Sequence, residues 1–292
     1  MNSKLRWFVV AMVALLALAG YSLAQAQASP ASIAKGGKLY DKWWKVVPNA
    51  VEPKGDHPLW ASQTTNTRTG PDTWRCKECH GWDYKGKDGA YGSGSHKTGF
   101  VGVYNAGAAK SKAELVAILK GSTNPKHDFS ALIDSLADFL KEGLADDSKY
   151  INYQTKKPIG GNLEQGKQVF TSSCAPCHGA DGTQLNFGSE KEPEYVGTIA
   201  SDNPWEFLHK VMSGQPGAPM PSGFESGWAR EKAVDVLTFA QTLPTGEEAP
   251  PTPAVLPKTG DTPLPYLPLA AAGGLALLTG VALLRWTRRI GS

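Results

Sequence analysis

The sequence lacks a net charge over most of its length. Residues 29–243 contain 24 basic and 24 acidic side chains, so the formal charge of +3 comes from the two ends of the 292-residue chain. A nucleic-acid-binding protein needs a basic face, and this balance gives no support to one. Hydrophobic residues make up 41% and charged residues 20%. These values are typical of a globular chain and argue against wholesale disorder and against a multi-span membrane protein.

Cysteine and methionine are scarce, with four of each. No cysteine lies near the N-terminus, which argues against N-terminal lipid attachment. No methionine occurs between Met12 and Met212. A methionine ligand is therefore excluded from that stretch of the chain.

The N-terminus has the features of a secretory signal. Two basic residues precede an apolar run at 7–19, and small residues follow, ending at Ala26 and Ala28. This order predicts a signal peptide at residues 1–28, cleaved after Ala28 or Ala26. An uncleaved N-terminal membrane anchor is the alternative. In either case the main body is exported.

The C-terminus carries a spacer and an apolar segment. Residues 244–268 contain eight prolines, which predicts a stiff, extended linker over 244–265. Residues 266–284 are 19 mostly apolar residues, enough to cross ~30 Å of hydrocarbon as a helix. Arginines follow, so residues 266–292 are predicted to be a transmembrane helix with a basic cytoplasmic tail.

The linker also contains Leu256-Pro257-Lys258-Thr259-Gly260. Followed by an apolar segment and arginines, this pentapeptide resembles a sortase sorting signal. The resemblance implies that Thr259 is joined to a cell-surface group and that the helix is discarded. A plain tail anchor is the alternative, so the protein is predicted to be anchored to either the membrane or the cell wall.

The four cysteines form two pairs, each followed by histidine. They are Cys76-Lys77-Glu78-Cys79-His80 and Cys174-Ala175-Pro176-Cys177-His178. Cys-x-x-Cys-His is the attachment sequence of covalent c-type haem, in which the two thiols bond the porphyrin and the histidine ligates the iron. Two such motifs predict two covalently bound haems, with His80 and His178 as axial ligands.

Two other interpretations of the cysteines remain. A four-cysteine zinc site is one, but it leaves both histidines unexplained. Disulfides are the other, since exported proteins often carry them.

The two motifs lie in two copies of one plan. Each copy has a helix, the haem motif, a loop and two further helices, with a capping-box spacing at Ser111 and Glu114 in the first copy and a proline helix start at Pro204 in the second. This order resembles two tandem class I cytochrome c domains, at residues 29–150 and 151–243. The resemblance implies an all-α fold, a small helical bundle around each haem. The first copy departs from it by a long insertion at about residues 48–74.

The sixth iron ligands are predicted to differ between the copies. The family resemblance assigns Met220, in the segment Gly217-Ala218-Pro219-Met220-Pro221, to the second haem, and Met212 is the competing methionine. His127 occupies the corresponding place in the first copy, so we expect it to ligate the first iron. His96, His57, a lysine or an open site are alternatives. Because methionine raises a haem potential relative to nitrogen ligands, the first haem is expected to have the lower potential.

These features predict a surface-anchored dihaem cytochrome c that passes single electrons between redox partner proteins at the cell envelope. The alternative is a dihaem enzyme, peroxidase-like or another oxidoreductase, with an open iron in the first domain. A carrier should have two six-coordinate irons, whereas an enzyme needs one that opens to substrate. The charges of the copies are also opposite, +3 for residues 29–150 and −3 for residues 151–243. They could select different partners or attract each other.

Overall fold

The structure, a computed structural model, describes Met12, residues 27–121 and residues 132–246. Two isolated bridges, between Gly86 and Val101 and between Ile151 and Pro158, are the only β-pairing in these ranges. The all-α prediction is confirmed for this part of the chain. Its α-helices are α1 (Pro30–Lys42), α2 (Cys76–His80), α3 (Tyr104–Ala109), α4 (Lys112–Leu119), α5 (Ile133–Asp138), α6 (Leu163–Val169), α7 (Ala175–His178), α8 (Val196–Asp202), α9 (Pro204–Ser213) and α10 (Arg230–Ala240).

Shorter helical turns extend or connect these helices. A π-helical turn continues α5 at Phe139–Gly143, and another continues α6 at Phe170–Cys174. The 3₁₀ turns are Trp43–Lys45, Pro58–Ser62, Gly70–Trp74, Ala90–Gly92, Gly94–His96 and Asp147–Lys149.

The helix starts follow the capping chemistry of the sequence. The Ser111 hydroxyl accepts a hydrogen bond from the Glu114 amide at 3.3 Å, and the Glu114 carboxylate accepts one from the Ser111 amide at 2.7 Å. This reciprocal pair confirms the predicted capping box. Asn203 caps α9, in which Pro204 occupies the first turn, as predicted. α3 and α8 were not expected from the sequence.

In the first half of the chain, at residues 29–150, α1 crosses α5 at very close range. A Cβ atom on Gly36 would lie 2.0 Å from the backbone oxygen of Ser135 and 2.5 Å from Cβ of Phe139. Only glycine allows the two backbones to approach so closely.

The second half of the chain, at residues 151–243, repeats this crossing with α6 and α10. A Cβ atom on Gly166 would lie 1.9 Å from the backbone oxygen of Asp235 and 3.1 Å from Cβ of Phe239. The glycine again faces a carbonyl four residues before a phenylalanine.

Two hydrophobic clusters form the core. The first contains Tyr40 and Phe139 and is built mainly from α1, α4 and α5. The second contains Phe170, Leu208 and Leu237 and is built mainly from α8, α9 and α10. The second cluster also includes Trp82 and Tyr91, which come from the first half of the chain. The two halves therefore pack against each other.

Several predictions fall on residues that the structure does not describe. They are most of the signal peptide, His127, nearly all of the linker with its sortase-like pentapeptide, and the apolar segment with its basic tail. Within residues 27–121 and 132–246, no helix has the length and apolarity to cross a membrane.

Candidate functional site

Each Cys-x-x-Cys-His motif ends a short helix at a glycine with positive φ. Gly81 follows α2 with φ of 78°, and Gly179 follows α7 with φ of 83°. The amide of Gly81 donates to the Lys77 carbonyl, and that of Gly179 to the Ala175 carbonyl, each at 2.9 Å. Glycine adopts this backbone conformation without strain, so the chain turns immediately after the histidine of each motif.

The chain then returns to each motif in the same way. The amide of Gly86 donates to the His80 carbonyl at 2.9 Å, and the amide of Gln184 donates to the His178 carbonyl at 3.0 Å. The two motifs thus share a turn, a glycine and a returning loop.

The imidazole of His80 has a defined orientation. Its Nδ1 lies 2.6 Å from the Val101 carbonyl oxygen. A carbonyl can only accept, so Nδ1 carries the proton and Nε2 keeps the lone pair that a metal requires. Burial lowers the pKa of His80, which favours its neutral form.

The imidazole of His178 has a different environment. Its Nδ1 is buried and finds no hydrogen-bond partner among the described residues, while the ring meets Phe187 edge-on with centroids 5.8 Å apart. Burial lowers the pKa of His178 as well. A buried, unpaired ring nitrogen is costly, and His178 lacks the orienting hydrogen bond that the Val101 carbonyl gives His80.

Within the described residues, the cysteines form neither a disulfide nor part of a metal-ligand cluster. All four are free thiols, and the described residues contain no group of three or more His, Cys, Asp or Glu side chains able to hold a metal ion. Burial raises the pKa of Cys76 and Cys79 to about 12 and that of Cys174 to about 11. Burial thus disfavours the thiolate form of these three cysteines.

Apolar side chains stand exposed beside both motifs. Val101, whose carbonyl holds His80, is 61% exposed, and Phe187 beside His178 is 47% exposed. Large apolar side chains usually gain stability by burial. A flat porphyrin bonded to the thiols would cover such side chains, so the residues present fit a covalent haem.

Residues 161–239 match the family model described as cytochrome C oxidase, cbb3-type, subunit III. This match supports a c-type cytochrome. It spans α6 to nearly the end of α10 and includes the second motif and Met220. A comparison with curated proteins found no match to the chain. Covalently bound haem iron, electron transfer and an extracytoplasmic location are what such a cytochrome domain implies.

The two methionines of the cytochrome segment have different surroundings. Met212 is 3% exposed and packs in the second core cluster. Met220 is only half-buried and lies in the loop 214–229, where the Ser222 hydroxyl donates to the Met212 carbonyl at 2.7 Å. Met212 is thus used in core packing, and Met220 remains the predicted axial ligand.

The alternative histidines of the first half make other contacts. The Nδ1 atom of His96 lies 3.1 Å from Glu78 Oε1, and its ring stacks on Tyr91. The Nδ1 atom of His57 accepts from the Leu59 amide at 3.1 Å. His57 and His96 therefore already serve the local fold, and the assignment of His127 stays a prediction.

A buried polar network that the sequence does not predict lies inside the first motif. Glu78 is fully buried and accepts hydrogen bonds from Asn66 at 3.0 Å and from His96, and it pairs with Lys77 at 2.5 Å and Arg68 at 3.4 Å. Burial alone would raise the pKa of Glu78, but the His96 hydrogen bond and the Lys77 charge hold it well below its usual range.

The network gives the insertion at 48–74 a structural role. Asn66 and Arg68 belong to the insertion and reach the spacer residues between Cys76 and Cys79. Charged spacer residues usually face solvent, so the sequence alone carried no signal for this contact.

Proposed function

We propose that this protein is an exported dihaem c-type cytochrome that passes single electrons between redox partner proteins at the outer face of the cell envelope. The observation that carries the proposal is the shared geometry of the two Cys-x-x-Cys-His helices. The family match covers the second motif only. The first has the same glycine turn and the same returning hydrogen bond.

The repeated helix crossings support two tandem domains, at residues 29–150 and 151–243. In each, a glycine of the first helix faces a backbone carbonyl of the last helix, at Gly36 with Ser135 and at Gly166 with Asp235. The two sites are built alike, so two haems are proposed rather than one.

Each haem would use three residues of its motif and one from a later loop. Cys76 and Cys79, or Cys174 and Cys177, would bond the porphyrin. His80 or His178 would supply one axial nitrogen, and His127 or Met220 would complete the two iron sites. The bound haem supplies reversible one-electron chemistry, while the chain sets ligands, burial and position.

The proposed ligands set a direction for electron flow. A thioether from Met220 favours the reduced iron more than an imidazole from His127 does. We therefore propose that electrons enter at the first haem and leave from the second. A redox titration should resolve two potentials, and Cys-to-Ser variants of each motif should assign the lower one to the first domain.

Attachment to the envelope completes the proposal. The signal peptide at 1–28 would export the chain, and the segment 244–292 would fix it to the membrane or, through Thr259, to the cell wall. Mass spectrometry of the mature C-terminus distinguishes the two, because sortase processing ends the chain at Thr259 and a tail anchor ends it at Ser292.

The haem count tests the proposal directly. Protein from a host that attaches c-type haem should keep its pigment after acid extraction under denaturing conditions, with two haems per chain. The double variants C76S/C79S and C174S/C177S should each retain one. A colourless protein, a pigment that washes free, or a count of one in the unaltered chain would overturn it.

Carbon monoxide separates the carrier from the enzyme alternative. Two six-coordinate haems should leave the reduced spectrum unchanged when the gas is added. His127→Ala should open the first iron and Met220→Ala the second, each giving binding at one haem. Rapid binding to the unaltered protein would argue for an enzyme.

A further inference from the structure

The two halves meet at a fully buried histidine. His209, on α9, has no exposed surface. Its Nε2 lies 3.0 Å from the Gly37 carbonyl oxygen on α1, and its Nδ1 lies 2.9 Å from the Tyr84 hydroxyl. Because the carbonyl only accepts, Nε2 donates to it and the tyrosine donates to Nδ1. Both ring nitrogens are satisfied by the other half of the chain.

Aromatic rings from the first half surround the imidazole. Its centroid lies 4.7 Å from that of Trp82, 5.6 Å from Phe139 and 5.8 Å from Tyr40. Trp82 follows His80 by two residues and is itself fully buried, and the Tyr40 hydroxyl donates to the Gly81 carbonyl at 2.6 Å. His209 therefore contacts residues that border the first haem motif.

Buried ion pairs flank this contact. Asp41 of α1 is 1% exposed, and one of its carboxylate oxygens pairs with Lys210 of α9 and the other with Arg75. A second pair joins Asp147 to Arg230 at the start of α10. Burying charges is costly unless each is partnered, so these groups favour one arrangement of the two halves.

A close backbone approach adds a steric condition. A Cβ atom on Gly37 would lie 2.1 Å from the Ser213 hydroxyl oxygen and 2.6 Å from its Cβ. Glycine at this position lets α9 settle on α1 near the His209 hydrogen bond.

We propose that His209, Tyr84, Gly37 and the two buried ion pairs, here called the interdomain lock, hold both haem domains as one rigid body. His209 is a positioning residue that fixes the second haem relative to the first. Electrons then pass between the two haems within one molecule, without separation of the domains. This inference rests on the proposed dihaem function.

A nicked protein tests the lock. A specific protease site can replace the exposed loop residues 154–157 in the full haem-loaded chain, and the chain is cut after folding. With the lock intact, the two halves should stay together on size exclusion, and the rate of electron redistribution after pulse reduction should be unchanged and independent of protein concentration.

Two sets of variants address the lock itself. His209→Phe keeps a ring but loses both hydrogen bonds and leaves the Gly37 carbonyl without its donor. The nicked halves should then separate at protein concentrations roughly tenfold or more higher than those at which the unaltered nicked protein separates. If that variant does not fold, Tyr84→Phe gives a smaller shift in the same direction. Gly37→Ala should also weaken the association, and Gly37→Ala combined with Ser213→Gly should restore it, because the second change removes the colliding atoms.

The outcomes distinguish a failure of the interdomain lock from a failure of the proposed dihaem function. Halves that fall apart in the unaltered nicked protein, each with one haem, would overturn the lock and leave the dihaem proposal standing. An unchanged association in both His209→Phe and Gly37→Ala would also overturn it. Halves that stay together but carry a single haem between them would overturn the proposed function instead.

Discussion

The two Cys-x-x-Cys-His motifs share their cysteines and histidine but are supported in different ways. In the first, Lys77 and Glu78 between the cysteines are buried, and the insertion at 48–74 reaches them through Asn66 and Arg68. In the second, the spacer residues are alanine and proline, and Cys177 is exposed. The Cys-x-x-Cys-His sequence thus fixes only the local turn, and the surrounding chain decides how deeply each motif is buried.

The histidines show the same contrast. His80 is oriented by the Val101 carbonyl, whereas the Nδ1 atom of His178 has no partner in the described ranges. The first motif also lies next to the contact between the two halves, through Trp82. His80 is thus oriented by a hydrogen bond, whereas the His178 ring is held by packing against Phe187.

The largest expected effect comes from removing the buried charge of the first motif. Glu78→Gln leaves Lys77 buried without its carboxylate partner, which should cost about 3–5 kcal/mol of stability. Denaturant unfolding of the haem-loaded protein measures it. The control is Glu164→Gln, an exposed carboxylate on α6 before the second motif, expected to change stability by less than about 0.5 kcal/mol. Equal losses of stability in the two variants would contradict the claim that the first motif depends on a buried charge.

Acid should act on the contact beside the first motif. Burial lowers the pKa of His209 to about 3, with Asp41 opposing and Lys210 reinforcing the shift. Between about pH 6.5 and 3 the unfolded chain binds a proton that the native chain does not. Stability should therefore fall with falling pH in this window, by at most about 1.4 kcal/mol per pH unit from this group, and the contribution is complete above pH ~6.5.

Comparison with His209→Gln isolates this contribution. The stability difference between the unaltered protein and the variant should be constant above pH ~6.5 and should shrink below it. Unfolding curves at several pH values, followed by haem absorbance, measure the difference. A difference that is flat from pH 7 to pH 4 would contradict the buried neutral imidazole.

Much of the fold follows from local sequence signals. The Ser111 capping box, the Asn203–Pro204 helix start and the glycines after each motif act within a few residues, so they can be found without knowing the fold. The cysteines and histidines of the motifs are equally local. The roles of Glu78 and His209 could not be identified in this way, because Asn66 lies 12 residues from Glu78 and Gly37 lies 172 residues from His209.

The net charges of the two halves do not predict which charged groups meet between them. The first half carries a net +3 and the second a net −3, but the contacting ion pairs use Asp41 and Asp147 from the first half and Lys210 and Arg230 from the second. The net positive half thus contributes acidic groups to these ion pairs, and the net negative half contributes basic groups. Docking therefore depends on a few buried groups rather than on the sum of surface charges.

The helix crossings offer a matched test of the repeat. Gly36→Ala and Gly166→Ala each place a methyl group about 2 Å from a backbone oxygen of the partner helix. Alanine in an open helix position normally stabilises, so a loss of about 1–3 kcal/mol in both variants would report the collision. Thermal unfolding monitored at the haem bands measures the loss. A gain in stability in either variant would contradict the claim that both helix crossings require glycine.

The smallest expected effects come from the helix caps, one in each half. Ser111→Ala removes the acceptor for the Glu114 amide, and Asn162→Ala removes the acceptor for the Gln165 amide, which lies 3.0 Å away. Each should cost about 1 kcal/mol. Ser111→Gly should cost only a few tenths, because glycine leaves the amide open to water. Similar losses in the two alanine variants would show that the halves differ at their Cys-x-x-Cys-His motifs rather than in their helices. The helix α6 leads directly into Cys174, so a markedly larger loss for Asn162→Ala would mean that α6 itself supports the second motif.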